Sequence, residues 1–129
     1  MSVYLDASAA AKLLLNEPES AGLRAYLTGR SARASSALLR AELLRAARRA
    51  DIESVADARA VLASFVLREI DDEVLDRAGE LVPLRLRTLD AIHVATAGLL
   101  GPDLEAVVTY DRRMIEAAKL YGLPVASPA

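Results

Sequence analysis

Four acidic residues stand out as candidates for chemistry: Asp6, Glu42, Asp90 and Asp111. The chain has no cysteine, which removes disulfides, thiolate metal sites and a cysteine nucleophile. Its single histidine, His93, cannot by itself build a multi-histidine metal centre. Ionic chemistry must therefore rest mainly on carboxylates. Acids that gather without a counter-charge repel one another and hold their protons more tightly. A hard divalent cation such as Mg²⁺ relieves that conflict, and a water bound to it can become a nucleophile.

Each acid also has an ordinary structural role open to it. Asp6 follows the apolar run "VYL" and precedes the helical "ASAAAKLLL"; Asp111 repeats the pattern between "VVTY" and "RRMIEAAKL". Both fit helix N-caps. Asp90 falls in the first turn of "TLDAIHVATA", where the helix dipole favours an acid. Its helical neighbours His93, Val94 and Ala97 nevertheless make its face largely apolar, and no Lys or Arg follows within the helix to neutralise it. An unpaired charge on such a face is costly. His93 is three residues from Asp90, within hydrogen-bonding reach, and equally suits a satisfied structural histidine. Glu42 lies about 40° around its helix from Leu38 and Ala46, at the edge of the apolar face. Arg45 and Arg49 are on its other side, so an exposed ion pair worth about 0.2–0.5 kcal/mol would also account for it.

The elements that must position these residues alternate between short apolar strands and helices. After the first strand, a helix runs from Ser8 to about Leu15 and a second from near Pro18 to Gly29. "ARASS" is a second strand, with Ser35 or Ser36 as the cap of the helix "ALLRAELLRAARRA". A helix from Ser54 to Ser64 precedes a third strand, "FVLREI", and "DDEVLDRAGELV" carries acids in its first turn. "LRTLDAIHVATAGLLG" reads as a helix capped by Thr88 and ended by Gly101. The fourth strand is "EAVVT", and "PVAS" is a short last one; the tail "SPA" looks too short to matter. This alternation predicts an α/β layer structure with a largely parallel sheet. In such sheets, sites form beyond the carboxyl ends of the strands, where strand order reverses. If the first and fourth strands are neighbours there, Asp6 and Asp111 lie about one strand spacing apart, ~5 Å.

The 129 residues make one expected domain, 1–129, without repeat or low-complexity linker. Hydrophobic residues reach 53%, enough apolar surface to leave a helix face over for a partner. The formal charge of −2 argues against a uniformly basic nucleic-acid binder. Fourteen of the 16 basic residues are Arg, the side chain suited to forked contacts with phosphate, although genome composition would produce the same bias. No basic residue precedes the first apolar run, and no stretch approaches the ~20 apolar residues of a membrane span, so a cytoplasmic protein is expected.

Taken together, "YLDASAAAKLLLNEPES", "SSALLRAELLRAARR", "LRTLDAIHVATA" and "VVTYDRRMIEAAKLYGLPVASP" resemble the PIN-domain family, and within it the VapC-like toxin ribonucleases of bacterial toxin–antitoxin pairs. The resemblance covers almost the whole chain in the family's order and spacing. It implies a PIN-like three-layer sandwich, with a five-stranded, mostly parallel sheet flanked by helices, and a Mg²⁺- or Mn²⁺-dependent endoribonuclease, a hydrolase acting through metal-activated water. Carried over by position, the catalytic acids are Asp6, Glu42, Asp90 and Asp111, with Asp6, Asp90 and Asp111 on the metal. Asp111 is the acid whose counterpart varies in the family. Ser8 and Thr109 match hydroxyl positions that orient the first and last acids. RNA as substrate, a cognate antitoxin docking on the helices between Ala37 and Leu67, and a homodimer come from the resemblance alone.

Substrate phosphates would meet arginines near the acids, and Arg85, Arg87, Arg112 and Arg113 are the candidates by position, although each also reads as solvated surface charge. With five aromatic residues, extensive base stacking is not expected. A nucleophilic-Asp phosphatase would carry an Asp two residues after Asp6, where Ser8 stands, and a receiver domain would pair acids at the first strand. The alternative of another class is a non-catalytic PIN-like scaffold for dimerisation or antitoxin binding. Loss of one of the four acids would point there, and none is missing.

Overall fold

The computed structural model describes residues 1–30, 32–51 and 55–129. The first half contains β1 (Ser2–Leu5), α1 (Ala7–Leu14), α2 (Ser20–Leu27), β2 (Arg33–Ser36), α3 (Leu38–Ala50), α4 (Val55–Ala63) and β3 (Val66–Arg68). The second half contains α5 (Asp72–Glu80), α6 (Thr88–Gly98), β4 (Leu104–Val108), α7 (Arg112–Leu120) and β5 (Val125–Ala126). All strand pairings are parallel, and the five strands lie in the order β3-β2-β1-β4-β5. The expected three-layer α/β architecture is therefore present. The chain builds outward from β1 to β3, then crosses back to lay β4 on the other side of β1. The order reverses between β1 and β4.

Strand alternation sends side chains to two separate cores. Val3 and Leu5 pack with Ala9 of α1, Leu23 and Leu27 of α2, and Val108. Tyr4 points to the opposite face, into a cluster with Val94 and Ala97 of α6 and Met114, Ala117 and Ala118 of α7. The helices that follow β1 and β4 thus leave on opposite faces. This separation opens a crevice at the carboxyl ends of β1 and β4. A third cluster joins Ala10 of α1 to Leu39, Leu43 and Ala47 of α3 and Ala58 of α4, which fixes α3 beside α1.

Several boundaries differ from the sequence reading. Thr88 does not cap α6: it is already helical, and Arg87 holds the extended N-cap conformation (φ −67°, ψ 149°) without a side-chain cap bond. The helix stops at Gly98, and Gly101, at φ +55°, opens a short 3-10 turn instead. The expected helix start at Ser54 lies outside the described residues; α4 is described from Val55. Neither Ser35 nor Ser36 is the cap of α3: the N-cap is Ala37, without a side-chain cap bond. Ser36, one residue earlier, accepts from the Leu38 amide at 3.1 Å, while Ser35 turns its hydroxyl onto the Leu5 carbonyl at 2.7 Å.

The tail is not negligible. Ser127 Oγ donates to the Thr109 carbonyl at 2.6 Å, and the Tyr110 hydroxyl donates to the Pro128 carbonyl. Ala129 lies against Gly22 so closely that a Cβ there would come within 2.3 Å of the Ala129 carbonyl carbon. Two terms compete in Gly22→Ala: alanine favours the helix by about 1 kcal/mol, and overpacking costs about 1–3 kcal/mol. A net loss of about 1 kcal/mol is expected by urea unfolding. In a chain ended at Ala126 the same substitution should instead stabilise, by about 0.5–1 kcal/mol. The same sign in both chains would show that the tail does not bear on α2.

Candidate active site

Asp6 is the first residue beyond β1 and is 4% exposed. It is an N-cap, as its position suggested, and more besides. Oδ1 accepts from the Ala9 amide at 3.1 Å and from Ser8 Oγ at 2.7 Å; Oδ2 accepts from Thr109 Oγ1 at 2.6 Å. Burial raises its pKa above the usual carboxylate value, and the Thr109 and Ser8 hydroxyls partly offset that rise. A plain cap would not need two side-chain hydroxyls from different elements.

Strand register explains which residues meet. Leu5 pairs with Val108, so Thr109, not Asp111, stands opposite Asp6. The expectation of Asp6 and Asp111 facing each other across one strand spacing is therefore corrected. β4 ends at Val108, and Thr109 and Tyr110 intervene before the next helix. Thr109 is wholly buried and joins the two acids: besides donating to Asp6, its hydroxyl accepts from the Asp111 amide at 3.2 Å. Ser8 accepts from the Tyr110 amide at 3.0 Å and lies 3.3 Å from Thr109 Oγ1. Asp111 caps α7 through the Arg113 amide at 2.9 Å.

Asp90, in the first turn of α6, completes the grouping from the other layer. Burial first, then the charges of Asp111 and Asp6, raise its pKa; His93 opposes the rise and Glu42 adds to it. Those interactions place Asp6, Glu42 and Asp111 within electrostatic reach of Asp90. Among the described residues, no Lys or Arg lies within ion-pair distance of any of them.

Glu42 is not in the surface ion pair that its spacing allowed. Its Oε1 lies 2.7 Å from His93 Nε2, and His93 Nδ1 lies 2.6 Å from the Tyr4 hydroxyl. His93 is satisfied, as one of its two readings required, but by Glu42 and Tyr4, not by Asp90. Tyr4 had been read only as part of a buried strand. A phenol in the middle of an apolar run must find a partner when buried, and that is the signal that could have singled it out.

Of the four arginines expected near substrate, Arg85 and Arg113 line a cleft with Leu86 and Glu116, and Arg85 comes within 4.0 Å of Glu116. Arg87 caps α6, and Arg112 is an exposed residue beside Asp111. A different pair shares a groove with Glu42: Arg45 and Arg49 line a space of about 480 Å³ between α1 and α3, with Ser8 and Glu42 in its wall.

The donor set is all oxygen and carries no internal counter-charge, which suits a hard divalent cation. Among the described residues no three acidic or histidine side chains close into a ready-made metal cage. Mg²⁺ commonly takes one or two carboxylates and keeps several waters, a mode that needs no such cage.

A parallel five-stranded sheet with acids gathered beyond its β1–β4 switch point is the arrangement of a PIN domain. The family model of that description matches residues 3–120, and the chain belongs to that family. Within it, the chain is 50% identical over 128 residues to Ribonuclease VapC46 of Mycobacterium tuberculosis (strain ATCC 25618 / H37Rv), covering 99% of this chain and 98% of the relative. It is 38% identical over 131 residues to Ribonuclease VapC47 of strain CDC 1551 / Oshkosh, covering 98% and 96%. The fold is shared with a chain in the crystal structure of VapBC2 from Rickettsia felis bound to a DNA fragment from their promoter, at a TM-score of 0.75 and 14% identity over the full length of both.

Proposed function

We propose that the chain is a divalent-metal-dependent endoribonuclease of the VapC kind, the toxin half of a toxin–antitoxin pair. The full-length similarity to VapC ribonucleases supports the reaction class. The observation that carries the site is Asp90, whose carboxyl is raised by burial and then by Asp111 and Asp6, with no Lys or Arg within ion-pair distance among the described residues. Asp6, Asp90 and Asp111 would hold Mg²⁺ or Mn²⁺, with Glu42 at the edge. When bound, such a cation supplies a water of lowered pKa for attack on phosphorus and neutralises charge developing on the phosphoryl oxygens.

The chain's own residues do the rest. Ser8 and Thr109 fix the Asp6 carboxylate from both sides. Asp111 is held at the start of α7 by the Arg113 amide, which binds one oxygen of its carboxylate. Arg45 and Arg49 offer forked donors to a phosphate lying along the groove beside Ser8 and Glu42. Arg112 and Arg113 would meet the strand at the opposite side of the acids. A cognate antitoxin would dock on the α3–α4 side, a homodimer would set two sites together, and a nuclease of cellular RNA would work in the cytoplasm. Among the described residues no helix is long and apolar enough to cross a membrane.

Incubation with total RNA tests this reading. Discrete fragments should appear with Mg²⁺ or Mn²⁺ and vanish in chelator. A metal-loaded, antitoxin-free chain that leaves all RNA intact would favour the scaffold alternative. Fragments that persist in chelator would remove the cation from the mechanism.

A further inference from the structure

The chain Tyr4–His93–Glu42 is built too completely to be incidental packing. Tyr4 is 0% and His93 1% exposed, and both ring nitrogens of His93 are engaged. The two rings meet edge to face, with centroids 5.8 Å apart at 74°. Ser35 and Thr96 flank the phenol, and their own protons are committed elsewhere, to the Leu5 carbonyl at 2.7 Å and the Ile92 carbonyl at 2.6 Å. Burial keeps the phenol neutral, so it has one proton to give. With that proton on Nδ1, the histidine is left with Nε2–H aimed at the Glu42 carboxylate. The phenol proton and both ring nitrogens of His93 are then satisfied.

Glu42 needs such a tether. It is a long side chain on α3, whereas Asp90 projects from α6 across the site. Arg45 lies three residues further along α3, in the same groove, and is free of ion pairs among the described residues. An untethered Glu42 would turn along its own helix to that guanidinium, the pairing that three-residue spacing favours. Its carboxylate would then leave the acids, and the arginine would be lost to phosphate.

We infer that His93 and Tyr4 are positioning residues: His93 holds Glu42 toward the acidic site and away from Arg45, and Tyr4 fixes the tautomer in which His93 can do so. This rests on the ribonuclease reading of the site, with Glu42 as one of its acids. Neither residue touches substrate.

Because His93 is the only histidine, its ring can be read without ambiguity by two-bond proton–nitrogen NMR correlations on the metal-free protein. The expected spectrum is a neutral ring with the proton on Nε2 and a bare Nδ1, whose resonance moves in Tyr4→Phe. A proton on Nδ1, in a neutral or a charged ring, overturns the role given to Tyr4. In kinetics, His93→Leu should lower kcat and Mn²⁺ affinity about 10–100-fold with KM for RNA unchanged, while His93→Gln, which keeps a donor where Nε2 stood, should stay within about threefold of wild type. The glutamine variant also guards against a leucine variant that fails to fold. A folded His93→Leu with wild-type cleavage and Mn²⁺ affinity overturns the inference, as does a folded His93→Gln that is as impaired as a folded His93→Leu. Glu42→Gln separates the two levels. If it is inactive while His93→Leu is active, only the positioning role falls. If it cleaves like wild type, Glu42 falls from the site and its tether falls with it.

Discussion

Asp90→Asn should lower RNA cleavage about 10³-fold and, in chelator at neutral pH, make the protein more stable than wild type. The two effects have one cause. The folded-state pKa of Asp90 is raised, by burial and by the Asp111 and Asp6 charges. Between its unfolded and folded pKa values the native protein keeps a proton that the unfolded chain has released. Unfolding free energy therefore falls as pH rises through that window, and above it the full penalty remains. A neutral amide of the same shape removes the penalty. Because the group is only half-buried, solvent screening limits the gain to about 0.5–1 kcal/mol, or roughly 2–5 °C in thermal midpoint for a chain of this size. At acidic pH, below the folded-state Asp90 titration, the gain should shrink, because the wild-type carboxyl is then protonated too. Thermal unfolding with chelator at the two pH values checks the sign. An Asp90→Asn protein that is less stable than wild type at neutral pH would mean that the carboxylate is a structural cap and not a strained ligand.

Thr109→Val should behave in the opposite way, losing stability and activity together. Valine fills nearly the same volume, so the change is almost purely the loss of the hydroxyl. That hydroxyl donates to Asp6 Oδ2 at 2.6 Å and accepts from the Asp111 amide at 3.2 Å. Leaving a buried carboxylate short of a donor costs about 1–3 kcal/mol, and a misplaced acid at a metal site typically costs about 10–100-fold in activity or metal affinity. The stability loss should depend on pH. Asp6 is already raised by burial, and the Thr109 hydroxyl is the largest influence holding it down. Removing it raises the folded pKa further, so the gap between variant and wild type should widen as pH rises through the Asp6 titration and close below it. Thr109→Ser should restore both properties. A pH-independent loss in Thr109→Val would assign the residue to packing alone.

Most of the architecture was legible because it follows from local pattern. Alternation of apolar strands with capped helices predicts a parallel sheet, and the residue after a strand predicts where a site can form. Asp6 and Asp111 were found in that way, and Asp90 by the absence of a counter-charge along its helix. What escaped depends on contacts between distant parts of the chain. Strand register, not sequence, puts Thr109 opposite Asp6 and displaces Asp111 by two positions. Whether Glu42 turns to Arg45 or to His93 cannot be read from the helix that carries it, because both lie within reach and His93 belongs to α6. The engagement of the tail by Thr109, Tyr110 and Gly22 likewise has no local signature; Ser127 and Pro128 acquire meaning only once β5 is laid beside β4. Arginine placement was the least legible feature, since exposed Arg on any helix looks alike until the groove between α1 and α3 is formed.

The central claim is that four acids on one sheet edge lack a counter-charge that a divalent cation supplies. The most direct measurement is thermal and calorimetric titration of the metal-free protein with Mn²⁺, for wild type and Asp90→Asn side by side. Wild type should start as the less stable of the two and gain about 2.7 kcal/mol when Mn²⁺ reaches 100 times its dissociation constant. Asp90→Asn should start higher and gain less than half as much at the same Mn²⁺ concentration. Wild type that gains nothing, or two proteins that gain equally, would contradict the claim.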